Sequence, residues 1–485
     1  MKSKRKNPFL PIGLRITFLI CAGFLFNYCH HGDIPVDESL LTKYNEMANP
    51  QTSAKSSEDI DCYLDYSCGM GEGMKETSSI NQKLIDFLGG RKVIYFKVGA
   101  SDNPPVIDLT TPEASFLNLD NYKEPGSKLK VAVDKITQNK NKVSIFITDF
   151  ERVEDINKVA TFAGAPEPHP IDVLAWAQTN FKDWLLSGNQ IDVFAKKFSK
   201  PDYWFDKNHK AVYDNWIYTL VFTPNAVIKN EILYKKSVLN FLNGEYQNLD
   251  GANSKHFTYS ANNFKVEQEK KDTITGDAND NITVQDLHVN TMNKGFEYYE
   301  FKTKELVNLN NDNSQNDKRI INKVKLSSQM PCFTDMQYGI KVYDITQSLT
   351  DFYNSLNQEA PEVKSNPETG KKDTIKNKPI KYAYQKEQPV EGVFDFVYNL
   401  DTKEIGIKLK PDFTGVSSNT IYQVDLVVKS AKVKGQSDAD NVLKLNYANG
   451  YTINSLGESI KFAMNDVAAN IENKVLYTFY IKLDK

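Results

Sequence analysis

The chain has 485 residues, of which 40% are hydrophobic and 25% are charged, and its formal net charge is −3. A chain of this length exceeds one ordinary hydrophobic core, so about two or three domains are expected. The composition is typical of a globular protein and has no basic excess, which argues against nucleic acid as a partner.

The N-terminus has the pattern of an export signal. A basic head at residues 2–6 precedes an apolar stretch at residues 16–26. The stretch is too short to cross the roughly 30 Å apolar layer of a bilayer as a helix, but it fits a signal-peptide core. Cys29 follows it closely, which resembles the lipobox of bacterial lipoproteins, although Tyr28 stands where that motif has a small residue.

The lipobox resemblance implies that residues 1–29 are a lipoprotein signal peptide and that Cys29 is acylated. The chain would then be exported and held at the cell envelope, on the outer membrane or cell surface, by its lipid anchor. Ordinary secretion and an uncleaved anchor are the alternatives. The polar residues 30–59 are predicted to be a tether.

The cysteines beyond the leader leave two alternatives open. Cys62 and Cys68 could form a disulfide in the oxidising environment that an exported protein meets, or they could remain free thiols. The sequence has no pair of CxxC motifs that would predict zinc.

Residues 60–250 alternate between apolar strands and amphipathic helices, which predicts an α/β domain with a doubly wound, mostly parallel sheet covered on both faces. The predicted strands are residues 60–67, 92–99, 142–150, 189–198 and 215–224, and the predicted helices are residues 78–90, 127–136, 170–189 and 226–244.

Residues 251–485 follow a different pattern. Short aromatic and β-branched runs with turn signals between them predict a β-rich, sandwich-like domain with one helix at residues 455–471. Two polar inserts, residues 308–319 and 360–378, are predicted to be loops or disordered.

Carboxylates and hydroxyls follow the predicted strands of the α/β domain. Asp65 and Ser67 end the first strand, Asp149 ends the strand at residues 142–150, and Ser127 precedes a helix. Ligands of parallel α/β sheets bind beyond the carboxyl ends of the strands. These oxygen-only side chains are the ligands that Mg²⁺ and other hard cations prefer.

These residues resemble the metal-ion-dependent adhesion site of von Willebrand factor type A domains, which has D-x-S-x-S, then a hydroxyl before a helix, then T-D-G. The resemblance covers roughly residues 60–225 and implies a type A-like fold with Asp65, Ser67, Ser127 and Asp149 as ligands of Mg²⁺ or another divalent cation. Gly69 replaces the second serine and Phe150 replaces the glycine, so weak metal binding is expected. The alternative is that Asp65 and Asp149 only cap loops or helices.

Other candidate sites have weaker signals. His169 and His209 are isolated, and the sequence has no nucleophile-elbow or Walker motif. Residues 201–216 concentrate aromatic side chains that could stack on a ligand or form a buried corner.

The pattern as a whole favours a binding protein over an enzyme. The expected function is a cell-envelope lipoprotein that binds a protein or extracellular matrix ligand through its type A-like domain, with a metal completing its coordination on a ligand carboxylate. A metal-dependent hydrolase that uses the strand-end carboxylates is one alternative, and a passive scaffold in an envelope assembly is another.

Overall fold

The chain is organised around one seven-stranded sheet, followed by two smaller sheets that share a core. The computed structural model describes residues 34–48, 59–99, 106–109, 118–124, 126–151, 170–201, 212–261, 264–268, 289–291, 296–311, 319–328, 332–357, 359–365, 372–379, 382–416, 418–435, 437–446, 452–453 and 455–485. The predicted signal peptide with Cys29, together with His169 and His209, lies outside the described residues.

The helices and strands are numbered in chain order. The helices are α1 (Glu38–Ala48), α2 (Cys68–Glu76), α3 (Ser78–Gly89), α4 (Leu129–Gln138), α5 (Pro170–Leu186), α6 (Asn225–Lys229), α7 (Glu231–Lys235), α8 (Val238–Gln247), α9 (Thr303–Asn311), α10 (Thr346–Asn357), α11 (Ser437–Val442) and α12 (Ser455–Asn470). The strands of the first sheet are β1 (Ile60–Asp65), β2 (Val93–Val98), β3 (Val106–Leu109), β4 (Val143–Thr148), β5 (Gln190–Pro201), β6 (Val212–Thr223) and β7 (Ser254–Ser260).

The first sheet is mixed, with a parallel centre. Its strand order is β3-β2-β1-β4-β6-β5-β7. Strand β1 pairs in parallel with β2 and β4, and the other four pairings are antiparallel. The predicted parallel arrangement therefore holds for β2, β1 and β4. It does not extend to β5 and β6, because the segment 202–211 between these two strands is shorter than the dozen or more residues that a parallel crossover needs.

Apolar side chains on both faces of this sheet explain why helices cover both. Along β1, Tyr63 belongs to one core cluster, while Cys62 and Leu64 belong to the cluster on the other face. Helices α2, α3 and α8 contribute to the second cluster, and α4 and α5 contribute to the first. Alternate residues of a strand point to opposite faces, so both faces of this sheet must be buried.

The C-terminal half contains two further sheets. Their strands are β8 (Phe264–Gln268), β9 (Val289–Thr291), β10 (Phe296–Lys302), β11 (Arg319–Ser328), β12 (Phe333–Asp344), β15 (Phe394–Tyr398), β16 (Glu404–Leu409), β17 (Thr420–Val433) and β20 (Val475–Asp484). The sheet β12-β17-β20-β10-β9 and the sheet β15-β16-β11-β8 contribute to one shared apolar cluster. This arrangement agrees with the predicted sandwich-like core.

The predicted inserts are more ordered than their polarity indicates. The second insert forms a two-stranded hairpin of β13 (Glu359–Ser365) and β14 (Lys372–Pro379). Helix α9 reaches Asn311 in the first insert, and residues 312–318 lie outside the described part. A further two-residue pair, β18 (Leu445–Asn446) and β19 (Thr452–Ile453), completes the strands.

The two halves share a core. Helix α12 packs along α5, and the Gln178 amide donates a hydrogen bond to the Asp466 carboxylate at 2.8 Å. The Tyr218 hydroxyl donates to the Val442 carbonyl at 2.9 Å. Strand β7 also belongs to the first sheet but begins after the boundary predicted at residue 250. One apolar cluster contains buried residues of both predicted domains.

Part of the predicted tether is a docked helix. In α1, Leu41 and Tyr44 are fully buried, and the Tyr44 hydroxyl lies 2.8 Å from the Ser348 Oγ. Both side chains belong to a cluster with residues of β10, β12, α10, β17 and β20. Helix α1 therefore covers the outer face of the five-stranded sheet, so residues 38–48 of the predicted tether are a packed part of the fold.

Because α1 is held by buried contacts, Leu41→Ala is expected to lower the free energy of unfolding by about 2–5 kcal/mol. The measurement is urea unfolding of a chain that begins at residue 30. The matched control is Leu400→Ala, since Leu400 is 76% exposed and its loss is expected to change stability by less than about 0.5 kcal/mol. Equal effects of the two substitutions would contradict the docking of α1.

Candidate functional site

The four predicted site residues meet at one edge of the first sheet. Asp65 ends β1, Ser67 is the N-cap residue of α2, Ser127 precedes α4 and Asp149 follows β4. The four residues are at most 5% exposed. Strands β1 and β4 are parallel neighbours at the point where the strand order reverses, and ligands of such sheets bind at that point.

Asp65 is the centre of the hydrogen bonds at this edge. It accepts hydrogen bonds from the Ser67 backbone N–H at 2.9 Å, from the Ser127 hydroxyl, and from the Thr148 hydroxyl at 2.7 Å. The structure therefore brings Ser67 and Ser127 to Asp65 directly. It also adds Thr148, which the sequence indicated only as part of the third motif.

The position of Thr148 follows from the register of the parallel strands. Leu64 of β1 lies opposite Ile147 of β4, so the next residues along the two strands, Asp65 and Thr148, are also neighbours. Their side chains lie on the same face, because each residue is two positions after one in the same core cluster, Tyr63 or Phe146.

The segment before α4 brings Ser127 to the site. The Glu124 N–H donates to the Tyr66 carbonyl at 3.1 Å, and the Cys68 N–H donates to the Glu124 carbonyl at 2.8 Å. The Tyr66 and Tyr122 rings stack with centroids 5.0 Å apart. These contacts fix Tyr122 and Glu124 beside the end of β1, shortly before Ser127.

Burial makes the site electrostatically unfavourable for two charged carboxylates. The pKa of Asp65 is raised to about 7, first by burial and then by the nearby charge of Asp149, and its three hydrogen bonds oppose this increase only in part. No described basic side chain forms an ion pair with Asp65. A bound cation would remove this penalty by neutralising the carboxylates.

Ser67 has an unsatisfied polar atom. Its Oγ is buried and has no hydrogen-bond partner among the described residues. It does not cap α2, although Ser67 occupies the N-cap position. Buried hydroxyls without a partner are rare in proteins, so a ligand atom at this position would explain the arrangement.

The donor set fits a hard cation. A hydroxyl keeps two lone pairs while it donates its hydrogen, so Ser127 can donate to Asp65 and also offer an oxygen to a metal. Asp65, Ser67, Ser127 and Asp149 together supply carboxylate and hydroxyl oxygens, the ligand types of Mg²⁺. Among the described residues no cluster of three or more His, Cys, Asp or Glu side chains forms a metal site of another kind.

The capping interpretation also has support in the geometry. Asp149 Oδ1 accepts a hydrogen bond from the Glu151 N–H at 3.0 Å, and Asp65 Oδ1 accepts one from the Ser67 N–H, both two residues along the chain. Such contacts are typical of Asx turns. Capping accounts for these two bonds, but it does not account for the unpartnered Ser67 Oγ.

Phe150 has the backbone conformation that favours glycine. Its φ is +57°, in the left-handed region, and its N–H donates to the Thr148 hydroxyl at 2.8 Å. Its ring lies in the first core cluster, 6.4 Å from the ring of Trp176. Core packing therefore holds a non-glycine residue in a strained conformation directly beside the site.

Three other features of the sequence are the cysteines, the aromatic segment at residues 201–216 and Gly69. In the described part of the chain, Cys62, Cys68 and Cys332 form no disulfide, in line with the second of the two cysteine alternatives. Of the aromatic residues in 201–216, Trp216 is 8% exposed and lies in the first core cluster, while residues 202–211 lie outside the described part. Gly69 is the second residue of α2, a helix that the glycine-rich sequence did not predict.

No helix in the described part of the chain is long and apolar enough to cross a membrane. Comparison of the chain with protein-family models, with curated proteins and with solved structures gave no match.

Proposed function

We propose that this chain is an exported, lipid-anchored cell-envelope protein that binds a protein or extracellular matrix ligand at the carboxyl edge of its first sheet. In this proposal, Asp65, Ser67, Ser127 and Asp149 hold a divalent cation such as Mg²⁺. The cation leaves a coordination position for a carboxylate of the ligand. The lipid is attached at Cys29, as the lipobox resemblance implies.

One observation carries the proposal: a buried pair of acidic groups lies beside a buried serine oxygen that has no partner among the described residues. Two ionised carboxylates buried side by side repel each other, and proteins normally neutralise such a pair with a cation or protonate it. The position at the strand-order reversal supports the same conclusion, because an open crevice exists there in sheets of this type.

In this proposal the residues around the cation have different roles. Asp65 and Asp149 supply the negative charge, while Ser67 and Ser127 supply neutral oxygens. Thr148 holds Asp65 in place through its 2.7 Å hydrogen bond. With Gly69 at the position of the family's second serine, fewer protein oxygens are available, so water is expected to fill part of the coordination shell.

Metal binding is expected to stabilise the protein, because a cation that binds only the folded state raises the free energy of unfolding. At Mg²⁺ ten times above its Kd the increase is about 1.4 kcal/mol. The measurement is the melting temperature of the chain from residue 30 to 485 in EDTA and in Mg²⁺, Mn²⁺ or Ca²⁺. Asp149→Asn is expected to abolish the shift.

The matched control for this experiment is Asp86→Asn. Asp86 is exposed on α3, where its carboxylate accepts a hydrogen bond from Gln82 at 2.9 Å. This variant is expected to keep the full metal-dependent shift. A wild-type melting curve that none of the three cations moves at millimolar concentration would overturn the proposal and leave Asp65 and Asp149 as capping residues.

A further inference from the structure

A small pocket lies on the face of the five-stranded sheet, beside the end of α1. Its volume is about 50 Å³, and its lining includes Tyr343, Tyr384, Lys386, Glu387 and Asp425. Tyr343 belongs to β12 and Asp425 to the neighbouring strand β17. The pocket is far along the chain from the strand-end carboxylates, and its chemistry is different.

Asp425 has one satisfied oxygen and one open oxygen. Its Oδ1 accepts hydrogen bonds from the Gln423 amide at 2.9 Å and from the Thr478 hydroxyl at 2.8 Å. Its Oδ2 accepts none from the described residues, and no described basic group lies within ion-pair distance. Asp425 is only 4% exposed, so this open oxygen belongs to a carboxylate that is held away from bulk water.

Tyrosines surround this carboxylate. The charge of Asp425 contributes to raising the pKa of Tyr343, to about 12, and that of Tyr384, after the larger effect of burial in each case. An ammonium group of the chain itself already lies over the Tyr343 ring, with the Lys386 Nζ 5.9 Å from the ring centroid. Aromatic faces attract cations through their quadrupoles, and ammonium groups bind between such faces.

We infer that this pocket binds a primary alkylammonium group, of the kind at the end of a lysine side chain, with Asp425 as its counter-ion and Tyr343 and Tyr384 as aromatic walls. The cavity of about 50 Å³ has room for an ammonium head, because about 10–15 Å³ of such cavity volume is enough to hold one water molecule. Asp425 and Glu387 favour a cationic ligand, with which the pocket's own Lys386 would compete.

The first experiment compares two probes of similar shape and different charge. Nα-acetyl-lysine methylamide carries the ammonium group, and the same compound acetylated on Nε is neutral. Binding to the chain from residue 30 to 485 is measured by calorimetry and by NMR of the probe. The charged probe is expected to bind, and the neutral probe is expected to bind at least about tenfold more weakly.

Butylammonium distinguishes a free amine from a lysine within a polypeptide. Binding as tight as that of the lysine derivative indicates recognition of the alkylammonium group alone, and weaker binding indicates that the peptide-like part adds contacts. Failure of both charged probes to bind would overturn the inference and indicate that the chain's own Lys386 already compensates Asp425.

Asp425→Asn tests the counter-ion without removing its support. Asparagine keeps an Oδ1 that accepts from Gln423 and Thr478, so the sheet is expected to remain intact, while affinity for the charged probe falls at least about tenfold. Tyr384→Leu is expected to weaken binding about three- to tenfold through loss of the aromatic face. Asp412→Asn, at an exposed position of the same half, is the matched control. Unchanged affinity in Asp425→Asn would overturn the inference.

Discussion

Asp65→Asn is expected to stabilise the metal-free protein more at pH 8 than at pH 5, and the two effects are expected to differ by at least about 1 kcal/mol. The pKa of Asp65 is about 7 in the folded protein, against about 3.9 for an ordinary aspartate in an unfolded chain. Between these two values the folded state retains a proton that the unfolded state has released.

The sign of the pH effect follows from this difference. Stability falls as pH rises wherever the folded state binds more protons than the unfolded state. The contribution of Asp65 is therefore fully present below about pH 4 and is lost as pH rises through about 7, by at most about 1.4 kcal/mol for each unit. Asparagine is neutral throughout, so the variant lacks this contribution to the pH dependence.

The measurement is urea unfolding of wild type and variant in EDTA between pH 5 and 8. Asparagine keeps an acceptor for Ser127, and the Thr148 hydroxyl can turn to accept from the new amide. Asp86→Asn, on the exposed side of α3, serves as the control and should preserve the wild-type pH dependence. An Asp65→Asn variant whose stability falls with pH as steeply as wild type would show that Asp65 does not titrate in this range.

The same substitution separates the effect of metal from the effect of charge. Only the ionised carboxylate binds a cation well, so the stabilisation by Mg²⁺ is expected to increase as pH rises through about 7. Asp65→Asn should remove this response while it raises the stability of the metal-free form. A purely capping role for Asp65 predicts no response to Mg²⁺ at any pH.

Much of the α/β region could be predicted from local pattern. The strands β1, β2 and β4 and the helices α3, α4 and α5 lie where apolar periodicity places them, because both periodicity and burial depend on which residues face the core. The proximity of Asp65 to Asp149 followed from the rule that the carboxyl ends of parallel strands meet at one edge.

The missed elements have physical reasons. Helix α2 contains Gly69, Gly71 and Gly73, which disfavour helices when isolated. Close packing explains why position 73 is a glycine, because a Cβ atom there would lie 3.3 Å from the Ile217 side chain. The sequence pattern did not predict helix α1, because the helix has few apolar residues and these are buried against strands that are distant in sequence. Such long-range contacts leave little local signal.

A fragment of residues 60–250 is expected to fail to fold as an independent domain, although the sequence pattern predicts a boundary there. The fragment ends before β7, which pairs with β5 at the edge of the sheet. It also lacks α12, whose apolar side chains complete the first core cluster. The fully or almost fully buried members of α12 are Leu456, Ile460, Ala463, Met464 and Val467.

The expected loss is large compared with the stability of a protein. Burial of one large aliphatic side chain contributes about 1.5–3 kcal/mol, and net stabilities are about 5–15 kcal/mol. Removal of α12 also exposes the residues of α5 that face it, and the fragment leaves the Tyr218 hydroxyl without its 2.9 Å acceptor at Val442. All of these changes remove contacts from the first core cluster, so their costs in free energy of unfolding are expected to add up.

Expression of the fragment 60–250 tests this expectation, with the chain from residue 30 to 485 as the control, which keeps α1, β7 and α12. The control is expected to unfold cooperatively. The short fragment is expected to be insoluble, or to show no cooperative transition by circular dichroism and broad amide signals by NMR. A short fragment that melts cooperatively near the temperature of the control would show that the strand-end site belongs to an autonomous domain, and that α12 packs on a core already complete without it.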